Sequence, residues 1–319
     1  MRIDRQALMS PVGATLKRKH PEVRQVREFV QSLDVELPPI EKFWTLGDAT
    51  ALRVRQDGTF FRSNYERGIL LYALVAKHRP NTVLEFGTGR GYGSLCMAWA
   101  MCDFGITGTI HTIDMVSPSK RFKWPIIWPG SDEANVRYLS RHDVWQEVAK
   151  LSWMKHIDNM VGLSGAVMQS YSGRPVDFAF IDAGHGYRSV RHDFIMSLHH
   201  ASGSIGVLFD DYSTEDWGLG TQKLVKDDVS PYCSPILIQT DRRWSGGEKE
   251  HLPDDYSGMV WVKSDCPKQW LAKTNNALNL LLILYRYRVW EIYYRLRLNL
   301  GERLRSVFIS NEMDTVKKA

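Results

Sequence analysis

Disulfide frameworks and zinc sites need cysteines in number or in close pairs, and this chain has few of either. Its four cysteines, Cys96, Cys102, Cys233 and Cys266, form no Cys-x-x-Cys pair. That argues against both site types and makes a reducing, cytoplasmic setting the expectation. Long apolar stretches are missing too: no uncharged run reaches the roughly 18 residues of a membrane-spanning helix. The N-terminus carries Arg2, Asp4 and Arg5 with no apolar run behind them, so it does not read as a secretory signal. A basic centre is also absent. The net charge of +5 sits in the flanks: residues 1–28 hold seven Lys/Arg against three Asp/Glu, and residues 274–310 hold six Arg against two Glu, which leaves the remainder at −3. A slightly acidic middle is not a nucleic-acid surface, and no nucleic acid is expected as a partner.

What is present is a glycine-rich turn. Val83, Leu84 and Phe86 form a short apolar run that reads as a buried strand, and glycines follow at alternate positions from Gly87 to Gly93. Leu95 to Cys102 has the length and composition of a helix. A strand, a glycine turn and a helix N-terminus together suit a nucleotide-like ligand, because the backbone can come close and unpaired N–H groups face it. The dinucleotide pattern Gly-x-Gly-x-x-Gly is absent, since its last position falls on Tyr92 or Ser94. The turn fits acidic-x-Gly-x-Gly-x-Gly instead, through Glu85, Gly87, Gly89 and Gly91. In this it resembles the class I S-adenosylmethionine-dependent methyltransferases. The resemblance implies that the cofactor contacts Glu85, Gly87, Thr88, Gly89, Gly91 and Tyr92, and Asp182 further on.

Around the turn, strands and helices alternate, which argues for a mainly parallel sheet covered on both faces. Strands are predicted at Thr82–Phe86, Thr109–Asp114, Asp158–Val161, Val176–Ile181, Ile205–Phe209, Pro235–Gln239 and Met259–Val262, with helices between the first five. The last two flank a polar, Gly-rich loop, Asp241–Gly258, that reads as a hairpin. The resemblance implies a Rossmann-like α/β fold whose seven-stranded, mainly parallel sheet ends in an antiparallel strand. Residues 1–66 read as a helical N-terminal extension, with one helix at Pro21–Leu33 and another from Phe60 to Lys77. Residues 67–265 are the methyltransferase domain. Within it Met115–Lys155, rich in Trp, Pro and Arg, is either a lid or substrate segment or a surface excursion with its own small core.

Residues 266–319 hold a long basic amphipathic helix. Over 275–308, Leu278, Leu282, Tyr285, Val289, Ile292 and Leu296 recur every three or four residues, with six arginines between the apolar positions. Such a helix serves a homo-oligomer, folds back on its own domain, or lies on a membrane surface; the spread of Tyr287, Trp290 and Tyr293 favours protein contact.

Ligands of open α/β sheets lie at the carboxyl ends of the strands. Asp114 ends the second predicted strand and suits ribose hydroxyls, because a carboxylate accepts from both; the family resemblance implies the same role. Ser164 and Gly165, after the third strand, would by that resemblance lie against the adenine. Asp182 ends the fourth strand and Asp210-Asp211 the fifth. Three converging carboxylates repel each other unless a cation sits between them, and an all-oxygen donor set favours Mg²⁺. These two segments resemble the metal-dependent O-methyltransferases that modify sugars on macrolide and aminocoumarin natural products, the macrocin O-methyltransferase type, and more distantly catechol O-methyltransferase. That resemblance implies Mg²⁺ on Asp182, Asp210 and Asp211, with His185 as catalytic base. The chain departs from the group in reading Ala183-Gly184-His185, without the usual Asp or Ser between Gly and His. The expected function is O-methylation of a hydroxyl on a sugar or glycosylated natural product. A metal-independent small-molecule methyltransferase and a non-catalytic scaffold of the same fold are the alternatives.

Overall fold

The computed structural model describes residues 23–62, 64–213, 218–240, 257–265, 267, 271 and 281–296. Met1–Thr274 make one compact unit and Asn275–Ala319 a second. Among the described residues the strands are β1 (Val23–Gln25), β2 (Leu52–Val54), β3 (Phe60–Arg62), β4 (Thr82–Phe86), β5 (Thr109–Asp114) and β6 (Phe122–Ile126). They continue with β7 (Asn135–Leu139), β8 (Ile157–Val161), β9 (Phe178–Ile181), β10 (Ile205–Ser213), β11 (Ile236–Gln239) and β12 (Ser257–Ser264).

Eight of them form the central sheet, in the order β1-β11-β12-β10-β9-β4-β5-β8. Neighbours pair in parallel except at β12, which lies antiparallel to both β10 and β11. β4, β9 and β10 are buried along their whole length. This is why they read as continuous apolar runs instead of alternating ones. The helices Glu66–His78 and Tyr92–Asp103 place Leu70, Leu74, Leu95 and Trp99 in the main core.

Two expectations need correction. The sheet has an eighth strand, because Val23–Gln25 pairs with β11 along its edge and only Val26–Ser32 is helical. Three residues are too few to show an alternation, and Val23 also fits the spacing of the helix that follows. The helix expected from Phe60 begins at Glu66, since Phe60–Arg62 pairs with Leu52–Val54 in a hairpin. The hairpin turns at Asp57-Gly58, with Gly58 at φ +86°, where the absence of a Cβ removes the penalty. The extension is therefore not wholly helical. Arg62 makes two 2.7 Å bonds to Asp48 and the Tyr65 hydroxyl donates to Asp48 at 3.0 Å, which ties the hairpin to the helix Ile40–Thr50.

Residues 115–155 fold into the β6–β7 hairpin and the helices Arg141–Val148 and Leu151–Met154. Trp124 and Ile126 form a small core with Ala49 and Val144, and the Trp124 indole donates to the Ala49 carbonyl at 2.8 Å. The excursion thus shares its core with the N-terminal extension. Most of the loop 241–258 lies outside the described residues. So do residues 275–280 and 297–308 of the long C-terminal helix; residues 281–296 are helical.

Candidate active site

The site is assembled at the carboxyl ends of β4, β5, β9 and β10. After Phe86 the backbone enters a left-handed run, with φ of +92° at Gly87, +55° at Gly89 and +93° at Gly91. Two of these glycines are forced by close approach as well. A Cβ on Gly87 would lie 2.1 Å from the Asp182 carbonyl oxygen, and one on Gly91 would lie 2.0 Å from the Trp145 ring. Beneath the turn Glu85 is buried, and the hydroxyls of Ser94 and Thr112 donate to its Oε2. Burial pushes its pKa up to about 7, against the lowering effect of those two bonds. Its carboxyl therefore favours the folded state most when protonated. That contribution is complete below the usual carboxylate range and is lost as pH rises through about 7. Glu85→Gln should remove a pH-dependent loss on the order of 3 kcal/mol between those limits. Thermal melts of the two proteins across this range check it; parallel curves would reject the assignment.

Asp114 ends β5 with both oxygens engaged. Its Oδ2 accepts from the Gly89 N–H at 2.8 Å and from Arg141 at 3.1 Å, and its Oδ1 accepts from the Val116 N–H at 2.7 Å. Arg141 also donates to the carbonyls of Gly89 and Val116, and the Trp145 indole donates to the Arg90 carbonyl at 2.9 Å. One helix, Arg141–Val148, thus holds the glycine turn and Asp114 together. Ser140 and Asp143 close a capping box at its start.

The acidic cluster lies beside this turn. Asp182 prolongs β9 by donating its N–H to the Phe86 carbonyl at 2.8 Å. The register of β10 shifts between Phe209 and Tyr212, and Asp211 takes φ +58°. A bulge of this kind re-aims side chains, and here carboxylate oxygens of Asp182, Asp210 and Asp211 come within 4.8 Å of one another. Arg67, from the first turn of Glu66–His78, places Nη1 2.5 Å from Asp182 and 2.8 Å from Asp210. Burial works against the Arg67 charge, but the carboxylates outweigh it and hold the guanidinium protonated. Asn64 donates to Asp210 at 3.4 Å. His185 Nδ1 lies 2.6 Å from Asp211 Oδ2. That bond raises the His185 pKa, burial opposes it, and the charges of Asp211, Asp182 and Asp210 add to it.

These parts share one cavity of 690 Å³, inside the range of roughly 300–1,000 Å³ usual for small-ligand sites. Glu85, Gly87, Thr88, Gly89, Gly91, Tyr92, Asp114, Asp182, His185 and Asp211 all line it, and Asp210 stands behind Asp211 and Asp182. Ser164 and Gly165 begin the helix Ser164–Gln169 and are not among the lining residues. His192 pairs with Asp193 and the His200 ring packs edge-on to Tyr171, so both serve packing. Sequence reasoning missed Arg67, Arg141 and Trp145. The tryptophan-rich composition of residues 115–155 was the one signal pointing to Trp145. Arg53, Phe61 and Phe122 complete the outer wall. Arg90 is there too, its pKa pushed down to about 9 by burial and then by Arg53.

Residues 84–212 match the model of a methyltransferase domain family. No curated protein matches the chain. Among solved structures, the chain is similar to the O-methyltransferase TomG of Streptomyces achromogenes, which is involved in tomaymycin synthesis and was solved with S-adenosylmethionine. Identity there is 18%, the TM-score 0.47, and coverage 79% of this chain and 99% of that one. An O-methyltransferase of Bacillus cereus, in complex with S-adenosylhomocysteine, is similar at 16% identity and TM-score 0.45, covering 75% and 97%.

Proposed function

We propose that this chain, whose residues 84–212 match a methyltransferase domain family, is a class I S-adenosylmethionine-dependent enzyme that methylates a hydroxyl of a sugar or glycosylated natural product with the help of Mg²⁺. One observation carries the reading: the carboxylates of Asp182, Asp210 and Asp211 converge beside the cavity that the glycine turn and Asp114 also line. The donor set fits the ion. Three carboxylates face one guanidinium, so negative charge remains after Arg67 is counted, and hard oxygen donors suit Mg²⁺. The turn fits the cofactor, because Gly89 has open space where a Cβ would stand and Asp114 sits at the ribose position of the strand edge.

S-adenosylmethionine when bound supplies an electrophilic methyl group, and Mg²⁺ on Asp182, Asp210 and Asp211 lowers the pKa of the acceptor hydroxyl. The chain does the rest. Asp211 fixes His185 through Nδ1, leaving Nε2 to take the hydroxyl proton. Val116 and Phe122 bring residues 115–155 to the cavity wall, which supports a role for that segment on the acceptor side and in excluding water. A reducing, cytoplasmic setting agrees with the free thiols of Cys96, Cys102 and Cys233.

A second reading rests on Arg67. Its guanidinium bridges Asp182 and Asp210 at ion-pair distance, so a metal-independent enzyme of the same fold would use Arg67 as the cluster's cation. The two readings separate in one assay: methyl transfer from labelled S-adenosylmethionine to a panel of vicinal-diol acceptors, with and without EDTA. Loss in EDTA and return with Mg²⁺ supports the first reading, and full activity in EDTA supports the second. His185→Ala should lower turnover by about 10²–10⁴-fold, as removal of a general base does. Its cofactor affinity, measured by calorimetry, should hardly change. An unaltered rate would take His185 out of the reaction.

A further inference from the structure

Residues 281–296 carry a helix with an exposed apolar stripe. Leu282, Tyr285, Val289, Ile292, Tyr293 and Leu296 are 42–67% exposed, whereas Tyr287 and Glu291 are buried. At about 100° per residue these six fall within one arc of about 100°. Arg286 lies just beyond one edge of the arc and Arg295 beyond the other, and both are exposed. The one acidic residue in 281–296, Glu291, is buried and bonded to Arg288. The exposed face therefore presents apolar side chains between arginines, with no acid of residues 281–296 on it.

We infer that this helix lies flat on an anionic lipid surface and docks the enzyme there. Apolar residues enter the boundary between headgroups and acyl chains, while arginines at the two edges extend to the phosphates. The hydroxyls of Tyr285 and Tyr293 suit the same depth, apolar along the ring and polar at the tip. No described helix is long and apolar enough to cross a membrane, so the contact is in the plane of the surface. A second copy of the helix fits less well. Its arginines would meet these arginines across the seam, where a pairing interface places opposite charges, and the arc is wider than a two-position seam requires. The inference does not rest on the choice of acceptor or metal.

The test uses the full chain and sedimentation with vesicles of phosphatidylcholine alone or with about one third phosphatidylglycerol. The anionic vesicles should bind at least about tenfold more protein, and high salt should abolish the difference. Val289→Glu with Ile292→Glu should remove binding to both. Arg286→Glu with Arg295→Glu should remove the preference for anionic vesicles. All four positions are exposed, so melting temperature and S-adenosylmethionine affinity should stay as in the parent. Equal binding to both vesicle types, or none, overturns the inference. So does a dimer by light scattering that Ile292→Glu dissociates. If the paired apolar variant does not fold, the parent's vesicle preference and its loss in the arginine variant still decide.

Discussion

Replacing Asp210 by alanine is expected to lower methyl transfer by about 10³-fold while leaving cofactor affinity within a few-fold of the parent, in line with loss of a preorganised electrostatic group. The Asp210 side chain is fully buried, and its partners include Arg67 at 2.8 Å, Asn64 at 3.4 Å and the Asp211 N–H at 2.8 Å. Alanine removes one of three converging carboxylates and the anchor of the backbone on which Asp211 stands in the left-handed region. It also leaves Arg67 with less compensation, and stripping one partner from a buried ion pair costs about 3–5 kcal/mol. Asp210→Asn separates the two effects, because it keeps the shape and can still accept from the Asp211 N–H. The asparagine variant should lose activity nearly as fully and lose less stability. Gly87–Gly91 and Asp114 make none of these contacts, so calorimetric titration with S-adenosylmethionine should show binding preserved. Undiminished turnover in either variant would remove the cluster from the chemistry.

Gly87→Ala should be the most damaging change in the glycine turn. An L-residue at φ +92° carries about 1–2 kcal/mol of strain. The new Cβ, 2.1 Å from the Asp182 carbonyl oxygen, meets backbone that cannot rotate away, an overpacking cost of about 1–3 kcal/mol. A drop of about 5–10 °C in melting temperature follows for a domain of this size. The displaced segment is the one that presents Asp182, so cofactor affinity and turnover should fall together, each by at least about tenfold, which is roughly 1.4 kcal/mol. Gly89→Ala provides the contrast. Its Cβ would meet no protein atom, so stability should fall only by the strain of an L-residue at φ +55°, about 1–2 kcal/mol, while cofactor affinity falls. Equal melting temperatures for Gly87→Ala and the parent would overturn this account.

The parts that could be read from sequence were local. The glycine turn, Asp114, and the Asp182–His185 and Asp210-Asp211 segments lie within a few residues of a strand end, and buried parallel strands announce themselves as apolar runs. Contacts between distant positions were not readable. Arg67 reaches Asp182 and Asp210 across 115 and 143 positions, and nothing around Arg67 marks it as a cation for an acidic cluster. Arg141 and Trp145 likewise act on a turn some fifty residues earlier. β1 was hidden because Val23 continues the spacing of the helix beside it, although β11 needs an edge partner. The C-terminal periodicity gave a stripe at the right residues. Spacing reports which side chains share a face; it carries no information about whether that face is covered.

The docking of Arg141–Val148 on the glycine turn bears on how stiff that turn is. Arg141 and Trp145 bond to carbonyls of that loop, and Trp145 fills the space that Gly91 leaves. A helix fastened to the turn in this way cannot move apart from it alone. Lifting it breaks at least two hydrogen bonds, each worth about 1 kcal/mol, and strips a tryptophan from its seat. The glycine turn and the helix that backs it therefore move as one piece.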